Sequence, residues 1–430
     1  MRSFSHALFP GVLRQSTPAC LTLLLASSLL PVANANAQAC VARDGQDAEL
    51  EVLLRSDPQL LALVNNAERH RLQMVVGRME WDAAGNPCLR WFRFRDGAQY
   101  FYPAGAVHLP MAMAVMQQLD EGQGLWDVNA TLVSDGVRAD SQTPSLGNIR
   151  IAHAFESTID REMRRMVILS ISQGFNRLFD LLGTRELAER LLAAQLNETR
   201  MSHRFDEAVP IADHVHAPGV RIVIGGAPRV FFPPRSTAAA ALPLPWADAL
   251  VGDAYIPIHA PDGPAPAQVD EPFDFADRNY ASLTDLLRMM LELGAPELLD
   301  VAGFSLSPTS RAYLAYLFSR GPQDLGLDDI DTSAWTLQRF KPMWDGIATV
   351  RDPATLTYLS HAGRAFGFHT DVAFVRDEST GTGFVVAATV YANEDGVLND
   401  DRYEYAQVTE PFFESLGALL ARWTFSEQVP

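Results

Sequence analysis

Tyr102-Pro103-Ala104-Gly105-Ala106-Val107-His108-Leu109-Pro110 runs straight into Met111-Ala112-Met113-Ala114-Val115-Met116-Gln117-Gln118-Leu119. The second half consists of good helix formers with a thick apolar face. Pro110 is compatible with a helix only in its first turn, so the spacing predicts a buried helix that begins near Ala106.

Upstream, Leu72 to Trp81 and Leu89 to Arg95 read as two strands around the turn Asp82-Ala83-Ala84-Gly85-Asn86, a β-hairpin with one wet face. A short helical stretch, near Pro58 to Arg69, precedes it. Downstream, apolar periodicity predicts helices over Ala154 to Leu169, Phe175 to Leu182 and Glu186 to Leu196. A further apolar stripe on Leu283, Leu286, Leu287, Met290 and Leu291 predicts another, and Ser307-Pro308 caps and opens the next.

Nine prolines between Pro233 and Pro272 exclude a regular helix or central strand, so 233–272 is expected to be a long surface loop. Ala365 to Val375 and Phe384 to Tyr391 read as strands flanking Asp377-Glu378-Ser379-Thr380-Gly381. A last amphipathic helix is expected from about Pro411 to Trp423. Strands at both ends with helices between predict a mixed α/β (α+β) fold. Its antiparallel sheet is built from N- and C-terminal strands, with flanking helices and an inserted all-helical lobe over about 110–345. A main domain over 71–430 is expected to follow a leader (1–39) and an N-terminal segment (40–70).

The leader reading rests on Arg2 and Arg14, the apolar run Leu21 to Leu30, and the small residues Ala33, Ala35, Ala37 and Ala39. It implies export, with a periplasmic or secreted mature protein. Two cysteines, Cys40 and Cys88, would then remain. In an oxidising compartment they suggest a disulfide; the alternative is lipid attachment at Cys40. No other membrane contact is expected.

The 430 residues carry 34 basic and 52 acidic side chains, a formal net charge of −18, which argues against nucleic-acid binding. Only one of the basic residues, Lys341, is a lysine. Chemistry that needs a lysine to give or take a proton has that single candidate, because arginine stays protonated.

Three stretches together resemble the penicillin-recognising serine hydrolases, the class A β-lactamases and their D-alanyl-D-alanine peptidase relatives, and in particular a poorly characterised β-lactamase-like branch. They are Tyr102 to Pro110, Ser170 to Gly183, and His361 to Asp371 continuing to Tyr405. The resemblance implies a Ser-x-x-Lys at the helix start, Ser-Asp-Asn in the helical lobe and Lys-Thr-Gly on a late strand. Carried over residue by residue, the nucleophile falls on Gly105 and its lysine partner on His108. Ser-Asp-Asn falls on Ser170, Ile171 and Ser172, and Lys-Thr-Gly on His361, Ala362 and Gly363. Of these, only Ser170 and Gly363 keep the family residue, and no Ser-x-x-Lys occurs anywhere in the chain.

The expectation is therefore a pseudoenzyme that keeps the cleft and holds a peptidoglycan fragment or peptide there, with Tyr102, Ser170 and His361 as candidate ligand-binding residues and no cofactor. The rival is an active hydrolase of β-lactams or related amides, for instance with Ser170 activated by His108 or His361. A second rival is a metal-dependent hydrolase built on His214-x-His216 with His203, His259 or a carboxylate as third ligand.

Overall fold

The computed structural model describes residues 40, 46–138, 155–207, 209–237, 249–259, 263–264, 266–299 and 301–426. The expected leader lies outside them, as do Ala154 and part of the proline-rich stretch.

Two helices open the described chain, α1 (Gln46–Ser56) and α2 (Pro58–Asn65). Pro58 stands at the first turn of α2, where its missing N–H costs nothing, and Asp57 caps it by accepting from Gln59 N. The hairpin β1 (Gln73–Trp81) and β2 (Pro87–Phe94) follows. Its turn is held by the Asp82 carboxylate, which accepts the Ala84 and Asn86 N–H groups.

The predicted buried helix is α3 (His108–Glu121), preceded by a single 3₁₀ turn over Ala104–Val107. Pro110 is its third residue. Next come β3 (Thr131–Arg138), β4 (Phe155–Thr158), α4 (Ile159–Leu169), α5 (Ser172–Leu182) and α6 (Thr184–Ala193). After them, β5 (His216–Ile224) and β6 (Ala227–Phe232) form a second hairpin around Gly225-Gly226, both at positive φ. The remainder is α7 (Leu283–Gly294), α8 (Pro308–Phe318), α9 (Leu337–Phe340), α10 (Trp344–Ala348), β7 (Leu356–Ala365), β8 (Phe368–Asp377), β9 (Gly383–Tyr391) and α11 (Glu410–Phe425).

The main sheet has the order β7-β8-β9-β1-β2, antiparallel throughout, so N- and C-terminal strands do interleave. Alternate residues serve two cores. Met74, Val76, Phe384 and Val386 pack beneath α1, α10 and α11 with Leu50, Phe413 and Leu416. Val75, Val372, Phe374 and Val385 face the helical lobe with α3 and α7.

The sequence reading needs three corrections. The inserted lobe is not all-helical: it carries a second antiparallel sheet, β4-β3-β5-β6, with the short strand Arg235–Ser236 paired to β5. Its strands hold Gly136, Pro218, Gly219 and Pro228, and two register shifts, so they lack the clean alternation that marks a strand. Residues 155–158, read as the start of a helix, are β4, and Thr158 caps α4 by accepting from Arg161 N. The strand read from Ala365 is two strands, broken by a tight turn at Phe366 (φ 54°) and Gly367 (φ 80°).

Within 233–272 the described residues form two-residue pairings and one isolated bridge, Tyr255 to Val269. Leu250–Val251 pairs with Phe273–Asp274, and Ala254–Tyr255 runs parallel to Val397–Leu398. Cys40 and Cys88 are joined by a disulfide, with Cα atoms 5.1 Å apart. Among the described residues no helix is long and apolar enough to cross a membrane.

Candidate functional site

The site is set by how closely β7 approaches the turn before α3. A Cβ at Gly363 would stand 2.7 Å from Gly105 N, and nearer still to Pro103 O and Ala106 N. Only a glycine lets the strand lie on that backbone. Two residues earlier on the same face of β7, His361 donates from Nε2 to Gly105 O at 2.9 Å. The ring is buried against Phe318 and against His108, 5.3 Å away between centroids. Burial, with the nearby His108 and Lys341, pushes its pKa well below the ordinary histidine value.

His108 is the first residue of α3 and is 2% exposed. Phe175 and Phe205 pack on it with ring centroids 5.5 and 5.6 Å away. Burial lowers its pKa to about 3, although the Met166 carbonyl offers an acceptor that favours protonation. Burial thus holds the imidazole neutral. Its Nδ1 faces Ser170 Oγ at 3.4 Å, a separation at the edge of hydrogen bonding.

Ser170 ends α4 in the left-handed conformation (φ 53°). This turns its hydroxyl into the space beside Gly105: a Cβ built on Gly105 would lie 2.5 Å from Ser170 Oγ. The hydroxyl therefore occupies the place where a side chain at position 105 would begin. Ser172 opens α5 and is half-exposed.

Lys341, near enough to act on His361, has its ammonium spent on the main chain. Its Nζ donates to Phe318 O at 2.5 Å and Ser360 O at 2.6 Å, and it is 4% exposed. The side chain of Ser360 is on the face of β7 opposite His361, as is Tyr358, which packs beneath α10 and α11. Asp371, opposite Ala362 and Ala388 in register, shares that face. Burial pulls the Lys341 pKa down to about 7 and pushes the Asp371 pKa up to about 7, each partly offset by attraction to the other.

An open cleft of about 350 Å³ lies beside these residues, not over them. Tyr102 lines it, with its ring 5.0 Å from Phe275 and 5.5 Å from Phe366 between centroids. Gly105, His108, Ser170 and His361 do not line it, so of the three candidate ligand residues only Tyr102 faces the cleft. The wall instead presents His203, Arg278, Arg339 and Arg364. The three arginines come from separate segments far apart in sequence, which is why no motif announced them. Arg364 sits directly after Gly363 and donates to Glu410 at 2.6 Å.

The histidine metal reading finds no ligand set. His214 Nδ1 accepts from Arg204 N at 3.0 Å, and His203 Nδ1 donates to Arg204 O at 2.7 Å, so both rings serve the backbone. Among the described residues no three of His, Cys, Asp or Glu gather as ligands for an ion.

Residues 91–301 match the family model described as "Beta-lactamase enzyme family", a span that includes Gly105, His108 and Ser170 but ends before His361. No curated protein matches the chain. Among solved structures, PBP-A aligns at 15% identity over 91% of this chain and 100% of its own, with a TM-score of 0.48. A β-lactamase from Sphaerobacter thermophilus aligns at 15% identity over 88% and 97%, TM-score 0.45. One from Burkholderia vietnamiensis aligns at 13% over 85% and 96%, TM-score 0.45. Just under half of the chain, 91–301, thus resembles the β-lactamase enzyme family, in line with the sequence reading.

Proposed function

We propose that this protein is a catalytically silent member of the serine β-lactamase and D-Ala-D-Ala peptidase superfamily, exported from the cytoplasm, that retains a cleft for reversible binding of a peptidoglycan fragment or peptide. The observation that carries the reading is steric: the Ser170 hydroxyl fills the space a side chain at Gly105 would need. Nothing at position 105 can attack a carbonyl carbon. The histidines at the former lysine positions are neutral, buried and packed into aromatic surroundings, and the one lysine is spent on two main-chain carbonyls. Nucleophile and base are both missing from the positions where acyl transfer uses them.

The hydroxyl of Ser170 itself is the second reading, favoured by its 3.4 Å approach to His108 Nδ1. A base whose pKa lies near 3 takes up a proton poorly at neutral pH, and neither residue opens onto the cleft. The test is incubation of the purified protein with a fluorescent penicillin and a chromogenic cephalosporin. The expected result is no covalent adduct and no turnover; an adduct on Ser170, abolished in Ser170→Ala, overturns the proposal.

A further inference from the structure

β7 is the outermost strand of the main sheet, and no described strand pairs with its outer side. Which main-chain groups face that side follows from the ladder on the other. Thr355 O accepts Glu378 N, and in an antiparallel pair successive residues turn both their N–H and C=O to opposite sides. Leu356, Tyr358 and Ser360 therefore turn theirs to the free edge, where Lys341 Nζ meets Ser360 O. The Leu356 N–H is spent closing the preceding turn on Pro353 O. Leu356 C=O, both groups of Tyr358 and the Ser360 N–H are left, and they have no hydrogen-bond partner among the described residues. An edge left open in this way is a template for another strand.

The open stretch is the floor of a slot of about 410 Å³, lined by residues 356–359, by Tyr316 and Arg320 at the end of α8, and by Trp344 of α10. Its two walls differ in chemistry. Tyr358 and Leu356 point to the face beneath α10 and α11, where the Trp344 ring lies 4.9 Å from that of Tyr358 between centroids. Leu359 points to the opposite face, toward the helical lobe, as does Thr357 by alternation. On that side stands Arg320, half-buried, with its guanidinium 4.4 Å from the centre of the Tyr316 ring. Its side chain forms no ion pair or hydrogen bond among the described residues, and its Nε is buried without a partner. Asp345, close enough to act on Tyr358, does not pair with it. One wall is thus aromatic and the other cationic.

We propose that the slot takes an extended peptide of alternating acidic and apolar residues as an added strand on β7. The residue in register with Tyr358 exchanges both main-chain hydrogen bonds with it and lays an apolar side chain on Trp344. Its two neighbours, in register with Thr357 and Leu359, turn to the other face and offer carboxylates to Arg320. A second copy of this chain would bring its own α8 and α10 to the same edge, so a lone extended segment suits the slot better. The site lies beyond Lys341 from His361 and Gly363 and is independent of the function proposed for the cleft.

Fluorescence anisotropy on the full-length protein tests it with three peptides, each with fluorescein at its N-terminus and an amide at its C-terminus. They are Glu-Val-Glu-Val-Glu-Val, Lys-Val-Lys-Val-Lys-Val, and the glutamate peptide methylated on its valine nitrogens, which cannot donate to the edge. The glutamate peptide is expected to bind with a Kd below about 1 mM, about tenfold or more tightly than either control. Arg320→Gln should weaken it about tenfold, and Arg320→Glu should reverse the preference in favour of the lysine peptide. Should these variants fail to fold, the comparison of methylated with unmethylated peptide on wild type still decides. No binding at about 1 mM, binding of either control equal to that of the glutamate peptide, or a folded Arg320→Gln protein that binds like wild type each overturn the proposal. A wild-type dimer in sedimentation that the glutamate peptide fails to dissociate would assign the edge to a second copy and overturn it too. Covalent labelling by a penicillin would bear on the catalytic reading alone.

Discussion

Gly105 and Ser170 compete for one small volume, and the backbone at 105 does not itself demand glycine, since its φ is not in the left-handed range. Gly105→Ser should therefore destabilise the fold by roughly 1–3 kcal/mol through overpacking. Ser170→Gly removes both the hydroxyl and a left-handed non-glycine residue, so it should be neutral or stabilising by up to about 1 kcal/mol. The double variant is expected to recover most of the Gly105→Ser loss in urea unfolding; simple additivity would show that the two side chains do not contest the space. His108 carries a second prediction. Its folded pKa, about 3, is below the ordinary value of 6.5, so the unfolded chain binds the proton more readily. The associated stability is fully present above pH 6.5 and is lost progressively as pH falls below it. In His108→Phe the slope of unfolding free energy between about pH 4 and 6 should shrink by up to roughly 1.4 kcal/mol per pH unit. An unchanged slope would place the acid sensitivity elsewhere. Gly105, His108 and His361 were singled out through the family resemblance, and the structure brings the three together. That Ser170 had swung into the vacancy was not legible, because a left-handed backbone at a helix end leaves no mark in composition.

At the scale of elements, β7 and the turn before α3 meet backbone to backbone at Gly363, and the three atoms nearest a new Cβ there are all main chain. Gly363→Ala cannot be relieved by a rotamer change. It should cost at least about 2 kcal/mol and lengthen the His361 to Gly105 hydrogen bond, which would move the His361 ring signals in an NMR titration. A fully wild-type melting curve would mean that the strand shifts freely. The hairpin β1–β2 was legible from its turn, although both faces of β1 are buried where one wet face was expected, and α3 and the last helix were legible from their apolar pattern and proline punctuation. β7 was not, since Leu356 to Ala365 mixes Ser360, His361 and Gly363 on faces that are both buried. The second sheet hid for a related reason: glycines, prolines and bulges break its alternation, while the strong helical periodicity of α4 absorbed the four residues of β4.

Over the whole molecule, two straps join distant parts of the chain. The Cys40–Cys88 bridge ties the segment before α1 to β2 across 48 positions, so its reduction should lower stability by about 2–5 kcal/mol, seen as a drop in melting temperature on adding reductant. Identical melting with and without reductant would contradict this. Lys341 is the other strap: one ammonium group binds the carbonyl ending α8 to the carbonyl preceding His361. Lys341→Met should cost roughly 3–5 kcal/mol, because it leaves Asp371 buried without its counter-charge, and Lys341→Met/Asp371→Leu should recover much of that loss. Lone basic residues attract catalytic interpretation, and the count of one lysine was legible at once. Its place between α8 and β7 depended on long-range packing that the sequence does not display.

Burial of that lysine makes the protein nearly blind to acylating dyes. With the side chain shielded, a succinimidyl ester offered to folded material should find no amine except the one at the chain terminus. A second dye per molecule would appear only as chains open, so stoichiometry read by intact mass becomes a direct clock for global unfolding.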